Sequence, residues 1–443
     1  MGLTSQRRFV LALGAILIVA FALRLGLRLA DGIQDYFHSG YFSFFYLAQS
    51  LASGHGYAFA GQPPTAYRVP FYPIFIAAVT GGHPRALALI AAQALVSCGT
   101  VVLAALLARR LFGDLAALIA AALCALYPYY AWHDTSLQET FLFTFLSASS
   151  TLVLLRLRDS WRLREAASAG ALMAVSILTR ATLLPFALVA LAWLVLPLHG
   201  DVSLSRRLRA AGLAAAVLAT GLAPWLVYSA KVDGAPGLGS EAGSLFYIAN
   251  NPLTFSAYPK RSIDDTVKVV RAAMPPEERF HLASLSTLEA SRWYKAKAWA
   301  WIGSHPFDFT VGGVRKLWAA FGPMPSPRHS LKADLPFAAV WSALLVLGLA
   351  GAWRDRHHWR RDAILYAHFA CFGAITAVLW AHTSHRSYLD IYLMVFASSI
   401  LAPAGRWVAS RVGANPAHSA SSSPHSGPSQ ARSPPPAPAT GSG

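Results

Sequence analysis

Ten apolar runs recur along this chain, near residues 9–30, 87–108, 115–131, 138–155, 166–179, 183–198, 210–229, 335–352, 363–381 and 388–404. Most approach the roughly 17 to 25 residues that a helix needs to cross the hydrocarbon of a bilayer. Backbone in lipid must satisfy its own hydrogen bonds, so runs of this kind specify helices. Composition agrees: 55% of residues are hydrophobic and 13% charged, against about a quarter charged in ordinary soluble domains. The expected fold is an all-α polytopic membrane protein with about ten transmembrane helices. The runs at 166–179 and 183–198 are short and parted only by Thr179-Arg180-Ala181-Thr182, which suits a tilted or partly re-entrant pair.

Arg7-Arg8 followed by Phe9 to Ala30 has the outline of a secretory leader. Its apolar part is longer than a leader core and no persuasive small-residue cleavage site follows, so it reads as a retained first span. With the N-terminus inside, the short cytoplasmic segments hold seventeen Lys and Arg. The short outer segments hold four, Arg68, Arg85, Arg180 and Arg386. That asymmetry obeys the positive-inside rule and requires an even number of spans, with both termini cytoplasmic. The net charge of +17 is therefore explained by membrane orientation, and no nucleic-acid partner is expected.

This topology divides the chain into a core at 1–230 with its first outer loop at 31–86, an extracytoplasmic loop region at 231–334, C-terminal spans over 335–411, and a tail. The tail, 412–443, is Ser, Pro, Ala and Gly with almost no apolar content, and reads as disordered. Within 231–334 helices are expected over Ala283–Trp301 and Phe307–Phe321, parted by His305-Pro306. Gly234 to Gly243 and Asn250-Asn251-Pro252 read as irregular loop. Cys98, Cys124 and Cys371 lie inside spans without metal-site spacing, as small core residues.

The outer face collects Asp31, Asp35, His38, His55, Arg68, Asp134, Glu139, Arg180, His382, His385, Arg386 and Asp390. Charges at a bilayer need partners, water or a function. Asp31 reads as a solvated helix end. Asp35 is the functional candidate, because large aromatics surround it in Tyr36-Phe37 and Tyr41-Phe42-Ser43-Phe44-Phe45-Tyr46. Asp134 and Glu139 flank the start of the fourth span; Asp134 also fits a helix N-terminal charge, while Glu139 lies deeper. With Asp35 they could hold a divalent cation through oxygen ligands.

Arg24 and Arg28 either snorkel to headgroups or meet an acid or a lipid phosphate. Arg68, Arg180 and Arg386 are outer-face guanidinia of the type that forks onto phosphate oxygens. Asp390 is either the partner of Arg386 or a site residue. Trp299, Trp301 and Trp318 read as interfacial belt rather than sugar platforms. No P-loop, dinucleotide fingerprint, nucleophile elbow or Asp-x-Asp pair occurs, so a nucleotide-sugar enzyme with a cytoplasmic catalytic domain is not expected.

An ordered series of elements resembles the integral-membrane glycosyltransferases of the GT-C fold, of the bacterial family 39 type related to protein O-mannosyltransferases and the lipid A aminoarabinose transferase. The series is Asp35; Leu51-Ala52-Ser53-Gly54-His55-Gly56-Tyr57; Pro64-Thr65-Ala66-Tyr67-Arg68-Val69-Pro70-Phe71-Tyr72-Pro73; Tyr127-Pro128; Ser136-Leu137-Gln138-Glu139; Leu178-Thr179-Arg180; Trp293-Tyr294 to His305-Pro306; and His385-Arg386-Ser387-Tyr388. It covers most of residues 9–404.

The resemblance implies a GT-C-like bundle with extracytoplasmic loop helices. It implies a polyprenyl-phosphate-linked donor of a hexosyl or pentosyl sugar, and an acceptor that is lipid, glycan or protein. It makes Asp35 the candidate general base, with Arg68, Arg180, His385 and Arg386 on the donor phosphate. Many relatives carry a second acidic residue directly after the first, where this chain has Tyr36, which weakens the case for a metal. The competing reading is a transporter or lipid-linked-sugar flippase. Against it, no internal repeat is evident, and the ionisable residues gather at one face instead of the midplane.

Overall fold

The computed structural model describes residues 3–38, 41–198, 200–261, 264–380 and 382–412. Beyond Val412, the expected tail lies outside the described residues. Residues 1–402 form one compact unit.

The first helix, α1 (Leu3–Asp31), is followed in the first loop by α2 (Ser43–Ala52) and α3 (Phe71–Thr80). Then come α4 (Ala86–Phe112), α5 (Asp114–Leu126), α6 (Pro128–His133), α7 (Thr140–Ser160), α8 (Leu163–Thr179), α9 (Leu184–Val195) and α10 (Leu204–Asp233). The second large loop holds α11 (Ala242–Ala249), α12 (Asp264–Ala273), α13 (Pro276–Ser284), α14 (Thr287–Ser304) and α15 (Pro306–Phe321). The chain returns through α16 (Leu331–Arg354), α17 (Trp359–Val378), the short α18 (Thr383–Arg386) and α19 (Asp390–Val412).

Five helices, α1, α4, α7, α10 and α16, are long and apolar enough to span a bilayer by themselves. The other expected spans coincide with α5–α6, α8, α9, α17 and α19. The third is broken at Tyr127, which is extended (φ −62°, ψ 117°) before Pro128, a conformation that a following proline favours over α. In the second loop, α14 begins at Thr287, later than its pattern suggests. Ser286 and Glu289 form a reciprocal capping box there, a local signal that outranks the apolar pattern upstream. The loop before α3 ends at Phe71, where the aromatic residues continue as helix.

Small residues set the helix contacts, as expected where lipid removes the hydrophobic drive between helices. A Cβ at Gly170 of α8 would sit 2.3 Å from the Ala214 carbonyl oxygen of α10, and one at Gly221 would sit 2.7 Å from Ala174. In α16, a Cβ at Gly351 would lie 2.1 Å from the Phe396 carbonyl oxygen of α19. Deeper in the bundle, Thr151 Oγ1, Tyr392 OH and His368 Nε2 lie within 2.8–2.9 Å of one another. Phe186 stacks on the imidazole at 3.5 Å between centroids. One polar node thus ties α7, α9, α17 and α19.

Ion pairs mark the two ends of the bundle. At one end Arg109 bonds Asp114, Arg110 bonds Asp159 and Arg361 bonds Asp355. The other end carries the two large loops and the candidate site.

Candidate functional site

Asp35 lies in the turn leaving α1, exposed, between the helix end at Asp31 and the buried pair Tyr36 and Phe37. Its place is fixed by its neighbours. Tyr36 donates to the Thr135 carbonyl at 2.9 Å and receives a bond from Gln93 Nε2 at 3.2 Å. Gln93 also donates to the Ser136 carbonyl at 2.9 Å, while Tyr72 OH donates to its Oε1 at 2.9 Å. A single buried amide in α4 therefore joins the first loop to the 134–139 turn. Phe37 packs on Phe45 at 4.0 Å, and Phe44 meets Tyr72 edge-on at 5.0 Å. The aromatics around Asp35 wall the loop from within and leave the carboxylate outside.

Asp134 takes a different role. It is buried, held by Arg24 Nε at 3.1 Å and by the Ser97 hydroxyl. Arg24 is fully buried and donates further to the carbonyls of Ala20, Cys124 and Ala125. Of the two readings of Arg24, the structure gives the ion pair. Arg28 sits one turn further out, donating to Asp31 at 2.8 Å, Ser136 Oγ at 2.7 Å and the Trp132 carbonyl at 3.2 Å.

Glu139 and Arg180 meet from opposite sides. Arg180 stands where α8 gives way to a short 3₁₀ turn, in extended backbone (φ −152°, ψ 112°). Its Nε and Nη2 reach Glu139 Oε1 at 3.0 and 2.8 Å, and Nη2 also reaches Thr140. The guanidinium lies 4.9 Å from the Phe143 ring. Both residues are 8% exposed, and among the described residues Arg180 Nη1 and Glu139 Oε2 have no hydrogen-bond partner.

Arg68 belongs to the same neighbourhood. It lies 5.1–5.5 Å from the rings of Phe44, Tyr41 and Tyr67, and 3.7 Å from Glu241. Burial works against its charge, but the carboxylates of Glu241 and Glu139 hold its pKa above the ordinary arginine value. Its Nε, too, lacks a hydrogen-bond partner.

The 382–390 segment is buried more deeply than its sequence suggests. Arg386 is 1% exposed, 3.2 Å from the Trp341 ring centroid and 3.7 Å from Asp390 Oδ2. Tyr127 donates to Asp390 at 2.9 Å, and Tyr130 to the Ser387 carbonyl at 2.7 Å. Asp390 is thus the partner of Arg386, and the α5–α6 break supplies the tyrosines that lock both. His385 is half-buried beside His382, 5.4 Å between rings. Arg180, Arg386 and Asp390 all lie within electrostatic reach of Tyr129.

The expected residues therefore separate. Glu139, Arg180 and Arg68 form one cluster; Arg386 and Asp390 adjoin it; Asp134 is withdrawn into the pair with Arg24. Asp35, Asp134 and Glu139 do not converge, and among the described residues no group of three His, Cys, Asp or Glu could hold a metal. Two of the three carboxylates are already engaged by arginines. Sequence reasoning missed Gln93, Glu241 and Tyr130, and named Tyr127 only within the Tyr127-Pro128 element. An amide inside an apolar span was the available signal for Gln93.

Residues 67–228 match the model of the dolichyl-phosphate-mannose-protein mannosyltransferase family. No curated protein matches the sequence. Among solved structures, the chain is similar to the oligosaccharyltransferase AglB of Archaeoglobus fulgidus in complex with an inhibitory peptide and a dolichol-phosphate. The TM-score is 0.54 at 13% identity, over 95% of this chain and 53% of that one. The apo form of the Archaeoglobus fulgidus oligosaccharyltransferase gives 0.51 at 14% identity, over 91% and 52%. The chain spans about half the length of these structures. The likeness shows the fold: this is a GT-C bundle, a multi-pass membrane protein.

Proposed function

We propose that this protein is a glycosyltransferase moving a hexosyl or pentosyl unit from a polyprenyl-phosphate-linked donor to a lipid, glycan or protein acceptor. On this reading it works at the extracytoplasmic face of the inner (plasma) membrane, with both termini cytoplasmic. The GT-C fold and the matched family model support the reaction class. The observation that carries it to this site is the Arg68–Glu139–Arg180 cluster. Two largely buried guanidinia keep an unbonded nitrogen each, at the same end of the bundle as an exposed carboxylate, Asp35.

The chemistry follows from those positions. Asp35 takes the proton of the acceptor hydroxyl as its oxygen attacks the anomeric carbon. The bond from that carbon to the phosphate oxygen breaks, and the phosphate leaves with the electron pair, inverting the centre. Arg68 and Arg180 meet the charge that grows on the leaving phosphate, and His385 and Arg386 flank the same region. Glu139 holds Arg180 in place. No step is assigned to a metal.

The test is transfer of labelled sugar from a polyprenyl-phosphate donor by purified protein in vesicles, comparing wild type with Arg180→Lys. Lysine keeps the charge but loses the fork, so transfer should fall about 100-fold. Movement of the lipid-linked sugar across the vesicle without transfer would favour the flippase instead.

A further inference from the structure

A cavity opens in the loop region, between the end of α11 and the α14–α15 corner, with a volume of about 390 Å³. Its size falls within the range of small-molecule sites, about 300 to 1,000 Å³. The floor is built and rigid. Lys316, 1% exposed, donates to Asn250 Oδ1 at 3.0 Å and to the Val378 carbonyl at 3.2 Å. Asn250 donates from its amide to the same carbonyl at 2.9 Å. Asn251, buried, receives the Leu253 amide at 2.7 Å on its side-chain oxygen and fixes the turn.

The walls differ from the floor. Trp301 and His305 stack at 5.6 Å with 14° between planes, and Arg315 lies 4.0 Å from the Phe255 ring centroid. Asp308 and Arg315 line the mouth, both exposed. A ligand here meets acceptors and donors together, with aromatic faces beside them. That combination suits a ring whose hydroxyls both donate and accept and whose C–H face is apolar. Lys316 already commits its ammonium donors to Asn250 Oδ1 and the Ala377 and Val378 carbonyls, so a phosphate here would have Arg315 alone to meet it, beside the Asp308 carboxylate.

We propose that this cavity binds a pyranose sugar, with Trp301 as a wall and Asp308 and Arg315 bonding the ring hydroxyls. It is linked to the candidate site. Phe255 meets Trp380 at 5.4 Å, Trp380 meets His382 at 6.4 Å, and His382 meets His385 at 5.4 Å. Assigning the sugar to the acceptor rests on the transfer reading above: the carboxylate at the mouth disfavours the phosphate-bearing donor. Trp301, read from sequence as interfacial belt, would then serve as a sugar platform.

The test uses the full-length protein in detergent and a panel of methyl pyranosides of mannose, glucose, galactose and arabinose, followed by saturation-transfer NMR, with inorganic phosphate as competitor. At least one pyranoside should bind with a dissociation constant on the order of 1 mM. Asp308→Asn and Arg315→Gln, both at exposed positions, should each weaken it about tenfold while thermal unfolding stays unchanged. Asp35→Asn should leave this binding intact, so the proposal stands or falls independently of transfer activity. No pyranoside signal, a signal indifferent to both wall variants, or full displacement by phosphate would each overturn it.

Discussion

Arg24→Met should destabilise the bundle by roughly 3 to 5 kcal/mol, the range for removing one member of a buried ion pair. The guanidinium is fully buried, and among the described residues it is the sole ion-pair partner of Asp134. Its loss leaves the carboxylate with Ser97 as its remaining side-chain partner, while the carbonyls of Cys124 and Ala125 lose a donor. Asp134→Leu alone strands the opposite charge and should cost a similar amount. The double variant removes both charges and should cost about 2 kcal/mol or less, far below the sum. Equilibrium unfolding in mixed SDS micelles measures all three. Additive losses, or a silent Arg24→Met, would refute the buried link and restore the snorkelling reading of Arg24.

Three further outcomes follow from the same geometry. Gly351→Ala should cost about 1 to 3 kcal/mol, because its Cβ would lie 2.1 Å from a carbonyl oxygen of α19. Gly14→Ala, with nothing within 4 Å, should be neutral or stabilise by up to about 1 kcal/mol; thermal unfolding separates the two. Burial lowers the Lys316 amine from the ordinary 10.5 to about 8. Between those values the unfolded chain holds the extra proton, so this group's contribution to stability rises with pH across that window. Lys316→Gln should flatten that rise in unfolding measured against pH. Treatment with EDTA should leave sugar transfer unchanged; a loss restored by added magnesium or manganese would show that a cation is recruited after all.

Much of the bundle was legible because lipid imposes a simple code of apolar length. The expected spans meet α1, α4, α7, α8, α10, α16, α17 and α19, and the Tyr127-Pro128 and His305-Pro306 breaks fall where proline dictates. The site was legible as a set of residues and not as a set of pairs. Arg24 and Asp134 are 110 positions apart, and Glu139 and Arg180 are 41 apart. Nothing local to either member says which acid meets which base. Arg386 has an accessible look in sequence, on a short polar link, yet Trp341 from α16 covers it. The His368 node was invisible for the same reason: its partners come from three other helices.

The central claim is that Asp35, exposed at the same end of this GT-C bundle as the arginine cluster, deprotonates an acceptor. The most direct measurement is the rate of labelled-sugar transfer from a polyprenyl-phosphate donor by wild type, Asp35→Glu and Asp35→Asn protein at matched folding. The account predicts that Asp35→Asn transfers about 10²- to 10⁴-fold more slowly, with donor binding retained and partial activity in Asp35→Glu. Transfer by Asp35→Asn at the wild-type rate would contradict it.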